Sequence, residues 1–141
     1  MRLEPLCELE LAFEGDVDDI RPGGLDGRLY GTGSGRATGP RLRGAVRWTN
    51  HPRVRADGTT LPALHGAIAT DDGARIVFEL TGLSTLLDGG PHRDTRAAGT
   101  FVAADERYLW LNDCFCVCEG AFDGATRSVR FRVFECVNEL V

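Results

Sequence analysis

Along this chain, short stretches in which every second residue is apolar alternate with Asp-Gly pairs. Between residues 6 and 13, Cys7, Leu9, Leu11 and Phe13 fall on one face and Glu8 and Glu10 on the other, the period of a strand with one buried side. The same alternation, or a short apolar run, recurs at 28–35, 42–49, 61–70, 75–80, 99–103, 108–118 and 127–137. Asp26-Gly27, Asp57-Gly58, Asp72-Gly73, Asp88-Gly89 and Asp123-Gly124 punctuate these stretches. Asp-Gly is a strong hairpin signal because a type I′ turn needs positive φ at both central residues. No window of about a dozen residues carries an apolar stripe at helical spacing. The pattern predicts an all-β fold, a single antiparallel up-and-down (calycin-like) β-barrel of roughly eight to ten strands with a central cavity, since closure removes exposed edges. Residues 83–98 lack strand patterning and are expected to form a long loop, either a lid over the cavity or a surface excursion.

The 141 residues make one domain, 1–141, large enough to bury a core without metal or disulfide staples. A formal net charge of -5 argues against a nucleic-acid partner, because affinity for phosphate backbones comes from clustered cations. All 16 basic residues are arginine, which excludes Schiff-base, phosphate-loop and acid–base chemistry by lysine. Carboxylates and a proline interrupt the first apolar residues, so no export signal is expected. No run approaches the ~18 apolar residues of a membrane span. A soluble cytoplasmic protein with no membrane partner is expected, with homo-oligomerisation left open. Five cysteines, an odd number without an export signal, read as free thiols.

Gly31-Thr32-Gly33-Ser34-Gly35 has the composition of a phosphate loop. Such a loop must open a helix, and the following Arg36-Ala37-Thr38-Gly39-Pro40 breaks one. The glycines instead leave one strand face bare, which serves curvature or, if the face points inward, makes room for a ligand beside Gly31 and Gly33. Cys114, Cys116 and Cys118 share one face of a strand, where neighbours converge poorly on a single ion. Core packing is therefore favoured over a metal site. Carried backwards, the alternation places Tyr108, Trp110 and Asn112 on the thiol face. They form either the wall of an apolar pocket with one polar hook or a closed core with Asn112 bonded to backbone.

Histidine is the side chain suited to proton transfer near neutrality, and there are three. His65 shares a strand face with Ala63, Ala67 and Ala69, which suggests space around it. His51 follows Asn50 at a strand end, where side chains often line a barrel mouth, and His92 falls in the long loop.

Gly39-Pro40-Arg41-Leu42-Arg43-Gly44, Arg55-Ala56-Asp57-Gly58, Thr70-Asp71-Asp72-Gly73-Ala74-Arg75-Ile76 and Tyr108-Leu109-Trp110-Leu111-Asn112 occur in that order. Together they resemble a family of small bacterial single-domain β-barrel proteins catalogued as a domain of unknown function, over residues 23–137. The resemblance implies a compact barrel with a central cavity and implies little about activity. Where the family pattern carries an Asp-Trp pair this chain has Asn50-His51, and where it carries an arginine this chain has His65. The resemblance makes both cavity positions, so two polar anchors would have become imidazoles, which favours proton transfer on a neutral or weakly polar substrate.

The leading expectation is a small-molecule-binding barrel acting as a cofactor-independent acid–base enzyme. It would be an isomerase, cyclase or hydratase/lyase for an apolar carbonyl-containing, polyketide or aromatic metabolite. His65 would be the general acid or base, and His51 and Asn50 would orient the substrate or relay its proton. Trp48, Tyr108, Trp110 and Asn112 would form the wall, Asn112 donating to a developing oxyanion. The rival is a non-catalytic carrier or sensor of an apolar molecule. A third reading is a structural barrel with a filled core, which a cavity below about 300 Å³ would support.

Overall fold

The computed structural model describes residues 1–141. The strands are β1 (Arg2–Ile20), β2 (Gly27–Thr38), β3 (Gly44–Asn50), β4 (Arg53–Val54), β5 (Thr60–Leu61), β6 (Ala63–Thr70), β7 (Arg75–Leu86), β8 (His92–Ala103), β9 (Phe115–Asp123) and β10 (Ser128–Val137). Eight of them close a barrel in the order β1-β2-β3-β6-β7-β8-β9-β10, each antiparallel to its neighbour, with β10 returning to β1. The two-residue strands β4 and β5 pair with each other and with β2 and β7. They carry the wall across one rim, beyond the ends of β3 and β6. The expected up-and-down barrel is present, and of the Asp-Gly turns Asp88-Gly89 is the one in which both residues have positive φ, at 48° and 66°.

Alternation sends Leu9, Leu11, Val46, Ile68, Ile76 and Val133 into the barrel, where each is almost wholly buried. Across the waist, successive register partners are Phe13, Gly33, Trp48, Gly66, Phe78 and Phe101. A Cβ on Gly33 would lie 2.4 Å from the Trp48 ring, and one on Gly66 would lie 2.2 Å from the Phe78 ring. Gly31 stands in the same relation to Phe13, and Gly120 to Phe131, each at 2.5 Å. The bare strand face does point inward, but rings fill the room it leaves. Gly31 and Gly33 are therefore packing partners of Phe13 and Trp48, with no open interior space beside them.

Two local expectations fail. Residues 83–98 are not a long loop: β7 runs to Leu86, β8 begins at His92, and the two pair through Ser84–Thr95 and Leu86–Arg93. No lid exists there, and the connection spans 87–91 only. Residues 108–118 are not one strand, because Glu106–Asp113 form a 3₁₀ turn capped by Asp105, whose carboxylate accepts from the Arg107 N–H. The buried residues of this turn, Tyr108 and Leu111, are three apart, the period of a 3₁₀ helix. Alternating apolar letters had concealed that spacing.

Cys114, Cys116 and Cys118 are buried in the core cluster with Cys7, in accord with packing as small hydrophobes. Burial pushes the thiols of Cys7, Cys116 and Cys118 up to about 12 and that of Cys114 up to about 11, so they stay protonated at neutral pH.

Gly66→Ala is expected to destabilise the protein by about 1–3 kcal/mol in urea unfolding, because the new methyl meets the Phe78 ring. An unchanged midpoint would refute the ring-on-glycine packing. A second expectation concerns acid. Hydrogen bonds from the Thr70 and Tyr108 hydroxyls lower the Asp72 pKa, and Arg107 holds Asp105 at about 2. A carboxyl whose folded pKa is depressed stabilises the fold above its unfolded value and loses that contribution as pH falls through the folded one. Stability should therefore decline from about pH 4 towards pH 2. The double variant Asp72→Asn, Asp105→Asn should show a shallower decline in the same urea titration.

Candidate functional site

The ring row divides the barrel into two ends of different character. One end is closed by the 3₁₀ turn. There Tyr108 donates its hydroxyl to the Asp72 carboxylate at 2.7 Å, and burial together with that bond raises the tyrosine pKa. Trp110 donates its indole N–H to the Arg107 carbonyl at 3.1 Å, while the Arg41 guanidinium stacks 3.6 Å above its ring. Asn112 uses both ends of its amide on Ala103, accepting from the N–H and donating to the carbonyl, each at 2.8 Å. Tyr108, Trp110 and Asn112 therefore plug the closed end, away from the cavity at the other. Of the two alternatives for Asn112, the bond to backbone is the one realised.

The other end is open, and between its rim and the ring row lies a cavity of about 240 Å³. Phe13, Leu29, Leu64, Leu80, Phe122 and Phe131 give it apolar walls, with Trp48 at its floor. Trp48 is buried, its indole N–H donating to the Ser34 carbonyl at 3.1 Å and its ring meeting Phe13 edge-on at 4.8 Å. Polar groups enter at a few points: Asn50, Thr60, Ser84, Arg93, Thr95 and, at the mouth, Arg21. Asn50 accepts from the Ala63 N–H at 3.0 Å, leaving its amide nitrogen without a protein acceptor. No histidine, cysteine, tyrosine, aspartate or glutamate lines this space. Its volume lies below the usual range for ligand pockets. By that measure the filled-core expectation is favoured, while the open half still has room for a small molecule or for one end of a larger one.

Arg93, Ser84 and Thr95 were missed because they fall in the stretch without strand alternation. Arg93 donates from Nε to the Ser84 hydroxyl at 3.0 Å, and from Nη2 to the carbonyls of Ser84 and Gly58 at 2.8 and 2.9 Å. The Ser84 and Thr95 hydroxyls, both buried, lie 2.8 Å apart across the β7–β8 pair. Burial, with the nearby Arg21 charge, lowers the Arg93 pKa. Arg21 is itself paired with Asp19 at 2.7 Å.

The histidines do not reach the cavity. On β6 the inward positions are Leu64 and Ile68, so His65 faces outward, is exposed, and meets Glu79 of β7 at 3.4 Å. His51 is exposed beside the Tyr30 ring, at 6.1 Å between centroids. His92 opens β8 on the rim, 3.5 Å from Asp123. Of the expected catalytic residues only Asn50 lines the interior, and of the expected wall only Trp48 does. His65 and Glu79 border a wider concavity of about 670 Å³ on the outer wall with Glu14, Arg47, Val77 and Val102. That groove is open to solvent, which screens its charges. The interior is the better candidate because Ser84 and Thr95 are buried there and Asn50, Thr60 and Arg93 half-buried. No three of the His, Cys, Asp and Glu side chains converge as metal ligands would, and no helix is long and apolar enough to cross a membrane.

Solved structures with this architecture include a β-barrel-like protein from Acinetobacter baumannii (18% identity, TM-score 0.84), the alignment covering 95% of this chain and 94% of that one. A conserved protein of unknown function from Rhodopseudomonas palustris is 19% identical with TM-score 0.84, covering 96% of this chain and 97% of that one. A protein from Penicillium herquei described as an enzyme is 23% identical with TM-score 0.67, covering 95% and 94%. At such identities the likeness is one of fold. A comparison with curated proteins gives no match. The family model described as "Protein of unknown function (DUF3237)" matches residues 1–136, and the chain accordingly belongs to that family.

Proposed function

We propose that this protein binds a small, mostly apolar organic molecule in the open half of its barrel. The observation that carries the reading is the cavity itself. It is a concave, apolar space ending in a few polar groups with unused hydrogen-bonding capacity, the usual make-up of a small-molecule site. The walls supply affinity by burying apolar surface, at roughly 25 cal/mol per Å², and the polar groups fix orientation.

Binding without catalysis, as in a carrier or sensor, is the reading this site supports best. General acid–base catalysis needs a group that can exchange a proton near neutral pH within hydrogen-bond reach of the substrate. The cavity offers only guanidinium, amide and hydroxyl groups. The imidazoles of His65 and His51 are on the outside, so the acid–base mechanism expected of them has no route to an enclosed substrate.

One observation favours a catalytic version. Arg93, the Ser84–Thr95 pair and the free amide nitrogen of Asn50 are all donors on the wall of one apolar space. Donors held in place can stabilise charge developing on a carbonyl oxygen, which would suit an isomerisation, cyclisation or loss of water driven by polarisation. The Penicillium herquei protein with this fold is described as an enzyme, in keeping with that version.

Native mass spectrometry of the protein purified from its own host is expected to show a retained small molecule. Ala97→Phe, which fills the cavity from β8, should be folded by circular dichroism and carry none. A wild-type protein without any bound mass, giving a hydrophobic fluorophore no more signal than Ala97→Phe does, would leave the filled-core barrel in place of the binding reading. His65→Ala should retain the molecule as wild type does and change stability by less than about 0.5 kcal/mol. Loss of the bound mass in that variant would return His65 to the site.

A further inference from the structure

Every arginine of this chain except Arg93 is solvent-exposed. Most of the exposed ones stand in ion pairs, as Arg2, Arg107, Arg130 and Arg132 do. Arg93 is half-buried, and all its hydrogen-bond partners are neutral: the hydroxyl and carbonyl of Ser84, the Gly58 carbonyl and, at 3.5 Å, the Thr60 hydroxyl. Asp123, which shares the rim with it, is turned to His92 instead. The partners occupy Nε and Nη2 and fix the plane of the guanidinium, while Nη1 has no acceptor in the protein.

A guanidinium keeps its proton in proteins, so the open half of the barrel holds a fixed positive charge although the chain as a whole carries -5. A cation withdrawn from water among neutral groups is an incomplete electrostatic arrangement, which an anion completes with a charge-assisted hydrogen bond. A second donor stands beside it. Of the two hydroxyl protons of Ser84 and Thr95, one makes the bond between them, and the other has no acceptor in the protein. One free guanidinium nitrogen and one free hydroxyl provide two donors, matching the two oxygens of a carboxylate. The remaining walls are apolar, which suits a hydrocarbon or aromatic body and not an inorganic anion.

We propose that the ligand is a small hydrophobic carboxylic acid whose carboxylate is anchored by Arg93 and the Ser84–Thr95 hydroxyl pair, a proposal that rests on the cavity being a ligand site. Its body lies among Leu64, Leu80 and Phe122. The carboxylate enters past the mouth, where Arg21 adds a second cation that Asp19 already neutralises. This reverses the expectation of a neutral substrate drawn from His65. The anchoring arginine of this barrel comes from β8.

The test compares matched pairs that differ only in the anchor: phenylacetate against 2-phenylethanol and 3-phenylpropanoate against 3-phenylpropan-1-ol, by calorimetry at pH 7. The acids should bind at least about tenfold more tightly than their alcohols, the scale expected of a hydrogen bond to a charged group. Arg93→Gln, checked for folding by circular dichroism, should bring the ratio of acid to alcohol affinity in each pair down to about one. Arg93→Lys should keep part of the preference, the charge being present without the fork. Acids and alcohols bound equally by wild type, or a preference that survives Arg93→Gln, would overturn the anchor and leave the apolar site standing. Binding of none of the four probes by wild type would overturn the site and the anchor together.

Discussion

The packing of aromatic rings onto bare glycine backbone across the waist is the constraint from which the rest of this barrel follows. Eight strands enclose an interior just wide enough for side chains, and rings as large as those of Trp48 and Phe78 fit there only where the facing position has no Cβ. Gly33 and Gly66 supply those positions. The register is thereby set, since a slip of one residue would bring a side chain into the space of a ring and turn the core face of the strand outward. The Trp48 indole N–H on the Ser34 carbonyl ties the row to β2.

With the waist filled, the two ends of the barrel take separate roles. Below it, aliphatic side chains and protonated thiols make a dry core, sealed by the 3₁₀ turn through Tyr108 on Asp72 and Asn112 on the Ala103 backbone. Above it, β7 and β8 present small inward side chains next to the ring row, Gly82 and Ser84 on one and Thr95 and Ala97 on the other, and the space they leave is the cavity. Inward polar groups are tolerated there because each finds a partner, Ser84 with Thr95 and Arg93 with Ser84 and the Gly58 carbonyl. β4 and β5 complete the rim and hold Gly58 where Arg93 reaches it. A polar network that holds a cation beside an apolar space is an arrangement that stability alone does not require.

The strands at 6–13, 28–35, 42–49 and 75–80 were legible because their inward positions are apolar or glycine and their outward ones mostly polar, and 61–70 because it is a short apolar run. The stretch 83–98 was illegible for the opposite reason, since Ser84, Arg93 and Thr95 are polar and face inward. Sequence patterning tends to fail where local rules are broken for function. Here the segment that did not read as strand contains the side chains that make the candidate site. His65 shows the complementary error: small neighbours on its face suggested interior space, but alanines are equally at home on an outer wall, and the larger Leu64 and Ile68 own the core face. At 108–118 an apolar run fitted both a strand and a 3₁₀ turn, and the choice fell to the tertiary contacts of Tyr108 and Leu111.

By itself the sequence determined the fold class, the antiparallel barrel, most of the turn positions, the family likeness and the burial of Cys114, Cys116 and Cys118, all of which follow from local periodicity and residue chemistry. Only the tertiary structure decided which way each face pointed at the ambiguous strands, that rings fill the glycine face, that the histidines stand outside, and that Arg93 stands half-buried against the cavity. Those outcomes depend on which residues meet across the barrel from strands distant in sequence, and no local pattern encodes that meeting.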